Sequence, residues 1–135
     1  MAANRAGSSA AATGLLHEFF TRAAARWPEQ TAVEVPPGDG RLERRRVTYA
    51  ELQRQADSLA ACLQTVTGPD CVVAMLLPRN SERLYAAQLA VLQSGAAYTC
   101  LDPAFPDEQM RDILEDCAAV AILTDGDGRA RLRRV

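Results

Sequence analysis

The chain has 135 residues, 15 basic and 17 acidic side chains, one histidine and a formal net charge of −2. Every basic residue is arginine. This excludes a Schiff-base lysine or a lysine-dependent phosphate loop within these residues, and leaves His17 as the sole imidazole for a Ser-His-Asp arrangement or a metal. The near-neutral balance and 5% aromatic content give no electrostatic or stacking case for nucleic acid or a membrane surface.

The length suits a single domain of about 100–150 residues. No apolar run reaches the roughly 18–20 residues of a membrane span. Residues 1–13 are rich in Ala and Ser and lack the apolar core of a secretory signal. They read as a short disordered lead-in to a folded unit over 14–135. A transit peptide is the alternative, since no acidic residue precedes Glu18.

The first periodic segment runs from Leu15 to Trp27. Leu15, Leu16, Phe19, Phe20, Ala23 and Trp27 share a helical face, and Pro28 ends the helix. His17 lies off that stripe beside Glu18 and Arg22 and reads as a surface residue. Thr31–Val35 and Arg44–Thr48 read as a hairpin around Pro36-Pro37-Gly38-Asp39-Gly40. Alternation puts Arg44 and Arg46 on one face and Arg45 on the other. With Arg41 they read as a charged edge that discourages strand addition. An anion site is the alternative.

Thr48-Tyr49-Ala50-Glu51 has capping-box spacing, so a helix follows it. Leu52, Ala56, Leu59, Leu63 and Val66 form its apolar face, and Gly68-Pro69 is expected to close it. Cys71–Leu77 is continuously apolar, as a strand covered on both faces should be. Pro78 to Ser81 turns the chain and offers Asn80 or Ser81 as a helix cap. Leu84, Ala87, Gln88, Val91 and Leu92 face one way in the helix that follows, and Gly95 sits where a left-handed residue belongs. Ala97–Leu101 is a second strand. Pro106-Asp107 opens a helix with Met110, Ile113, Leu114 and Cys117 along one side. Ala119–Thr124 is a third strand. Asp125-Gly126-Asp127-Gly128 reads as a turn, and Arg129–Val135 as the start of a helix.

The fold class is therefore α/β: a helix and a β-hairpin followed by a parallel β-α-β-α-β sheet. Architecture alone does not give function. The loop Pro78-Arg79-Asn80-Ser81 contains no glycine and is no phosphate cradle, and Gly126-Asp127-Gly128 is a lone GxG. Asp107, Glu108, Asp112, Glu115 and Asp116 cluster on one helix and read as its solvated face. Cys62, Cys71, Cys100 and Cys117 have no metal-ligand spacing. They read as buried reduced thiols.

Two segments resemble a known family. Val47-Thr48-Tyr49-Ala50-Glu51-Leu52 is similar to the first core motif of the adenylation domains of nonribosomal peptide synthetases. Leu92-Gln93-Ser94-Gly95-Ala96-Ala97-Tyr98-Thr99-Cys100-Leu101-Asp102-Pro103 is similar to the second. The motifs stand in the expected order and at roughly the expected spacing, and the likeness covers about residues 15–125. Tyr98 and Leu101-Asp102-Pro103 resemble the peptide-synthetase branch more than acyl-CoA synthetases. Cys100 departs from the motif, which usually carries proline there; this should relax the backbone without changing the chemistry.

The resemblance implies residues 14–135 as a partial AMP-binding domain, the start of the large subdomain of adenylate-forming enzymes. Such enzymes use ATP and magnesium to make an acyl adenylate and pass the acyl group to a phosphopantetheine thiol on a carrier protein. In the family the phosphate loop, the substrate pocket, the ribose-binding aspartate and the catalytic lysine come later in the chain. No residue here is expected to be catalytic, cofactor-binding or metal-binding. The motif residues Thr48, Tyr49, Glu51, Leu52, Gly95, Tyr98, Leu101, Asp102 and Pro103 are expected to be scaffold. The expected partner is the remainder of the domain or a complementing chain, in the cytoplasm, with no nucleic acid and no membrane. Two alternatives stand beside this: a non-enzymatic α/β module binding a partner through an unfinished sheet edge, and an independent small enzyme using Cys or Asp/Glu.

Overall fold

The apolar run before Pro78 becomes the central strand. A computed structural model describes residues 14–38 and 40–135. The expected lead-in, residues 1–13, lies outside the described residues, as does Asp39. The elements in chain order are α1 (Leu16–Arg26), β1 (Thr31–Val35), β2 (Arg45–Thr48), α2 (Tyr49–Leu63), β3 (Val72–Leu76), α3 (Glu82–Gln93), β4 (Ala97–Cys100), α4 (Asp107–Cys117), β5 (Ala121–Thr124) and α5 (Gly126–Leu132).

Strand β3 pairs in parallel with β4 on one side and β5 on the other, in the order β4-β3-β5. Val73, Ala74, Met75 and Leu76 are all buried, as a strand covered on both faces requires. Alternation divides them. Val73, Met75 and Leu77 meet Ala60 and Leu63 of α2 and Ala87, Ala90 and Val91 of α3. Ala74 and Leu76 meet Leu101 and Met110, with Ile113, Leu114 and Leu132 at the margin. Helices α2 and α3 thus cover one face, and α4 and α5 the other. Crossovers that leave β3 in one direction and return past it in the other produce that arrangement.

The hairpin is antiparallel, pairing Val33 with Val47, Glu34 with Arg46 and Val35 with Arg45. It packs on α2 and α3 through Val47, Leu52 and Ala86, with Phe20 and Leu89 alongside. The expected alternation of its arginines holds. Arg44 and Arg46 converge on Glu34, at 2.6 and 3.4 Å. Arg45 reaches Glu82 of α3 at 2.8 Å from the other face. Each of the three faces a carboxylate.

Local signals set the helix ends. Ser81, rather than Asn80, caps α3: its hydroxyl accepts from the Arg83 N–H at 3.2 Å. At the other end Gly95 has φ +82°. The Ala96 N–H reaches the Val91 carbonyl at 3.2 Å, and the Gly95 N–H reaches that of Leu92 at 3.1 Å. Together these make a Schellman motif.

Other expectations are revised. The stripe on α1 is largely solvent-facing: Leu15, Leu16, Phe19 and Trp27 are exposed, Leu16 by 70%. Phe20 and Ala23 are half-buried, and Ala24 is buried. Arg22 and Arg26 lie over the Phe19 and Trp27 rings at 4.7 and 4.8 Å. Helix α2 ends at Leu63, before Gly68-Pro69. The Thr65 and Thr67 hydroxyls donate to the Cys62 and Leu63 carbonyls, at 2.8 and 2.9 Å. The Val66 and Thr67 N–H groups also reach the Leu63 carbonyl, each at 2.9 Å, so the helix passes into a tight turn before Gly68-Pro69, and Val66 is left exposed.

On α3 the buried face shifts towards Ala86, Ala87 and Ala90, beside Val91. Small side chains let α3 approach α2 closely. The Asp125–Gly128 segment is the first turn of α5: the Asp125 carboxylate accepts from the Gly128 N–H at 2.9 Å, and the cap outweighs two glycines. The cysteines are not buried. Cys62 and Cys100 are exposed, Cys71 and Cys117 half-buried, and all four are free.

Candidate functional site

Loops leaving β3 and its two neighbours turn to opposite faces of the sheet. A crevice therefore opens at the carboxyl ends of the strands, where ligands of open α/β sheets bind. Its polar residues are Arg79, Asp102, Asp107, Asp125, Asp127 and Arg131. Arg79 donates to Asp102 Oδ2 at 2.8 Å, and Asp102 Oδ1 accepts from the Ala104 N–H at 2.9 Å. Arg131 reaches back from α5 to the carbonyls of Pro103 and Phe105, and to Asp107 Oδ1 at 3.0 Å. One guanidinium thereby fastens the loop after β4 to the last helix. Between these elements lies a cleft of about 280 Å³ lined by Leu76, Pro78, Pro103, Asp125, Gly128 and Arg131.

The Asp125–Gly128 segment at the crevice is a capped helix start and not a glycine-rich phosphate cradle. Gly126 and Gly128 are helical, and a Cβ at Gly128 would meet the Thr124 hydroxyl at 2.0 Å. The glycine serves close helix-strand packing there, and the side chains beside it, Asp125 and Asp127, are acidic. Among the described residues no three His, Cys, Asp or Glu side chains gather as a metal site. The acidic face of α4 stays exposed, and among the described residues only Asp107 acquires a cationic partner, Arg131. His17 is half-buried on α1.

The residues singled out in the sequence divide between two places. Thr48 and Glu51 close a reciprocal cap: the Glu51 N–H donates to Thr48 Oγ1 at 3.2 Å, and the Thr48 N–H to Glu51 Oε2 at 3.0 Å. Gly95 ends α3, Leu101 is buried under α4, and Asp102-Pro103 forms the pinned loop just described. Tyr49 and Leu52 of the first motif meet Leu92 and Tyr98 of the second. They do so in a cleft of about 440 Å³ between α1, the hairpin and α3. Tyr85 lines it too, so all three tyrosines of the chain converge on one cleft. The Phe20 and Tyr49 rings lie 5.5 Å apart at its floor. Nothing in the spacing of residues 49, 85 and 98 announces this meeting. The Arg131 clamp was equally illegible, because its partners lie 24 to 28 residues away.

Hydrogen bonding from Arg44 holds the Glu34 carboxyl below its ordinary range, against a smaller opposing effect of burial and with help from Arg46. No helix among the described residues is long and apolar enough to cross a membrane.

Comparison with known proteins agrees with this architecture. The family model for the AMP-binding enzyme matches residues 20–135. The chain is 36% identical over 120 residues to N-(5-amino-5-carboxypentanoyl)-L-cysteinyl-D-valine synthase of Amycolatopsis lactamdurans. That match covers 87% of this chain and 3% of the synthase. Among solved structures, the nonribosomal peptide synthetase FmoA3 superposes with a TM-score of 0.76 at 31% identity, over 87% of this chain and 12% of that one. The N-terminal subdomain of Klebsiella oxytoca NpsA superposes with a TM-score of 0.68 at 26% identity, over 83% of this chain and 28% of that one. The chain thus spans a few per cent of the length of its curated relatives. It belongs to the AMP-binding enzyme family and corresponds to the N-terminal part of a nonribosomal peptide synthetase adenylation domain.

Proposed function

We propose that these residues are scaffold for an adenylation reaction. The complete enzyme activates an amino acid or other carboxylate with ATP and magnesium, then passes the acyl group to a phosphopantetheine thiol on a carrier protein. The observation that carries this reading is the family match over residues 20–135. It coincides with the helix caps and strand entry built from the two motifs.

Thr48, Glu51 and Gly95 set helix ends. Tyr49, Leu52 and Tyr98 hold the hairpin and α3 against the sheet, and Leu101, Asp102 and Pro103 fix the loop after β4. None of them touches a reacting atom in this proposal. The chain by itself is inactive, since the crevice holds no phosphate cradle and the sequence no lysine. The remainder of the domain, on the same polypeptide or a complementing chain, supplies both, and the residues act in the cytoplasm. Four free cysteines are consistent with a reducing compartment.

ATP-pyrophosphate exchange with magnesium and a panel of amino acids tests the reading. The isolated chain is expected to be silent, and exchange to appear once the remainder of the domain is added in trans. Exchange by the chain alone would overturn it. If the chain stays silent even with the remainder, the second reading gains: a non-enzymatic module working through its sheet edge, for which Ala121–Thr124, an edge strand among the described residues, is available.

A further inference from the structure

We infer that Arg131 is a positioning residue of the crevice: its guanidinium fixes the loop 102–106 after β4, and substrate binding depends on that fixed loop. The inference rests on the adenylation reading above. Strand β4 is tied to β3 as far as Leu101, whose N–H donates to the Met75 carbonyl at 2.8 Å, and α4 begins at Asp107. Between them the main-chain bonds stay local. The Phe105 N–H donates to the Asp102 carbonyl at 2.9 Å, and the Pro106 carbonyl accepts from Met110 at 3.0 Å. Among the described residues no main-chain bond ties this loop to a strand or to α5.

Side chains therefore hold it. Arg79 approaches from one side with one nitrogen on Asp102 at 2.8 Å, but it is 80% exposed, and an ion pair so open to solvent contributes little. Arg131 approaches from the other side and is only 20% exposed. It donates to three acceptors in one short stretch: the Pro103 and Phe105 carbonyls, and Asp107 Oδ1 at 3.0 Å. The planar fork of a guanidinium fixes such acceptors relative to one another. An ammonium on a flexible stem does not.

The place of the loop sets the shape of the crevice. Pro103 lines the cleft of about 280 Å³ beside Leu76 and Gly128. Asp102 and Phe105 line another of about 390 Å³ beside Met75 and Leu77. Both lie at the carboxyl ends of the strands, where open α/β sheets bind ligands. A loop free to swing would redraw both clefts. Holding it in one conformation removes the cost of ordering it from the binding step. Arg131 does this through the loop, with no substrate contact of its own.

The test compares the chain with Arg131→Ala, first alone, by amide hydrogen exchange. The Ala104 and Phe105 amides should exchange about tenfold faster, with those of Val73 and Met75 in the sheet unchanged. Millimolar ethylguanidinium, the group deleted, should restore their protection, and Arg131→Lys should not. ATP-pyrophosphate exchange with the remainder of the domain in trans then reads the function. Arg131→Ala should raise the KM for ATP or for the amino acid several-fold at little-changed kcat, and ethylguanidinium should lower it again. Should that variant misfold, Asp107→Ala, which removes one of the three acceptors at an exposed position, should loosen the same amides and raise the same KM to a smaller extent.

Unchanged exchange at Ala104 and Phe105, or full protection by lysine, would overturn the clamp. Faster exchange throughout the sheet in both variants would reduce Arg131 to general stability and overturn the positioning role. KM values indifferent to a loosened loop, in an active wild-type pair, would overturn its part in binding. Silence of the wild-type chain with the remainder would instead overturn the adenylation reading, and the role of the loop with it.

Discussion

Ala118 adopts φ 47° and ψ 47° at the end of α4. This left-handed conformation costs a residue with a Cβ roughly 1–2 kcal/mol, part of which glycine forfeits in chain entropy. Ala118→Gly should therefore stabilise the chain by about 0.5–1 kcal/mol, read as a higher denaturant midpoint at unchanged m-value. Glu34 makes a prediction in pH. Its folded pKa lies below the ordinary 4.5, chiefly through the Arg44 hydrogen bond. A depressed carboxylate stabilises the fold fully above its unfolded value and loses that contribution as pH falls through the folded one. Wild type should exceed Glu34→Gln in stability at neutral pH, and the gap should close on acidification through that window. A constant gap across the titration would show that the pairing with Arg44 and Arg46 is not its source.

Elements were legible where a local interaction decides them. The Thr48–Glu51 cap, the Ser81 cap and the Gly95 terminus need only residues two to five apart, so their spacing foretold them. Helix α2 ends earlier than Gly68-Pro69 implies, because a tight turn follows Leu63, in which backbone N–H groups and two threonine hydroxyls share the last carbonyls. Helix α5 was misjudged because two glycines outweighed Asp125 on paper. Its glycines now separate by environment. A Cβ on Gly126 meets nothing within 4 Å, so Gly126→Ala should stabilise by roughly 0.5–1 kcal/mol. A Cβ on Gly128 would press on Thr124 and on the Leu76 carbonyl. Gly128→Ala should destabilise by about 1–3 kcal/mol. Thermal unfolding of the two variants checks both signs, and equal responses would refute the close packing of α5 on the sheet.

At the scale of the whole molecule, apolar surface remains uncovered. Leu15, Leu16 and Phe19 on α1, Tyr85 on α3, and Val120 and Ile122 at β5 are all exposed. The native chain should bind an environment-sensitive hydrophobic dye while keeping the near-ultraviolet dichroism of a packed protein, which distinguishes it from a molten globule. A native chain that binds no dye would mean these surfaces are covered, by self-association or otherwise.

The sequence by itself determined the order and type of the main elements, the two-faced burial of β3 and the family. All of these follow from periodicity, capping chemistry and motif residues adjacent in the chain. Only the tertiary structure decided which residues meet: three tyrosines in one cleft, Arg131 on the loop after β4, and Glu82 against Arg45. It also decided that the stripe on α1 faces outward. Each of these depends on how elements distant in the chain are brought together by packing, and side-chain spacing along the chain carries no record of that.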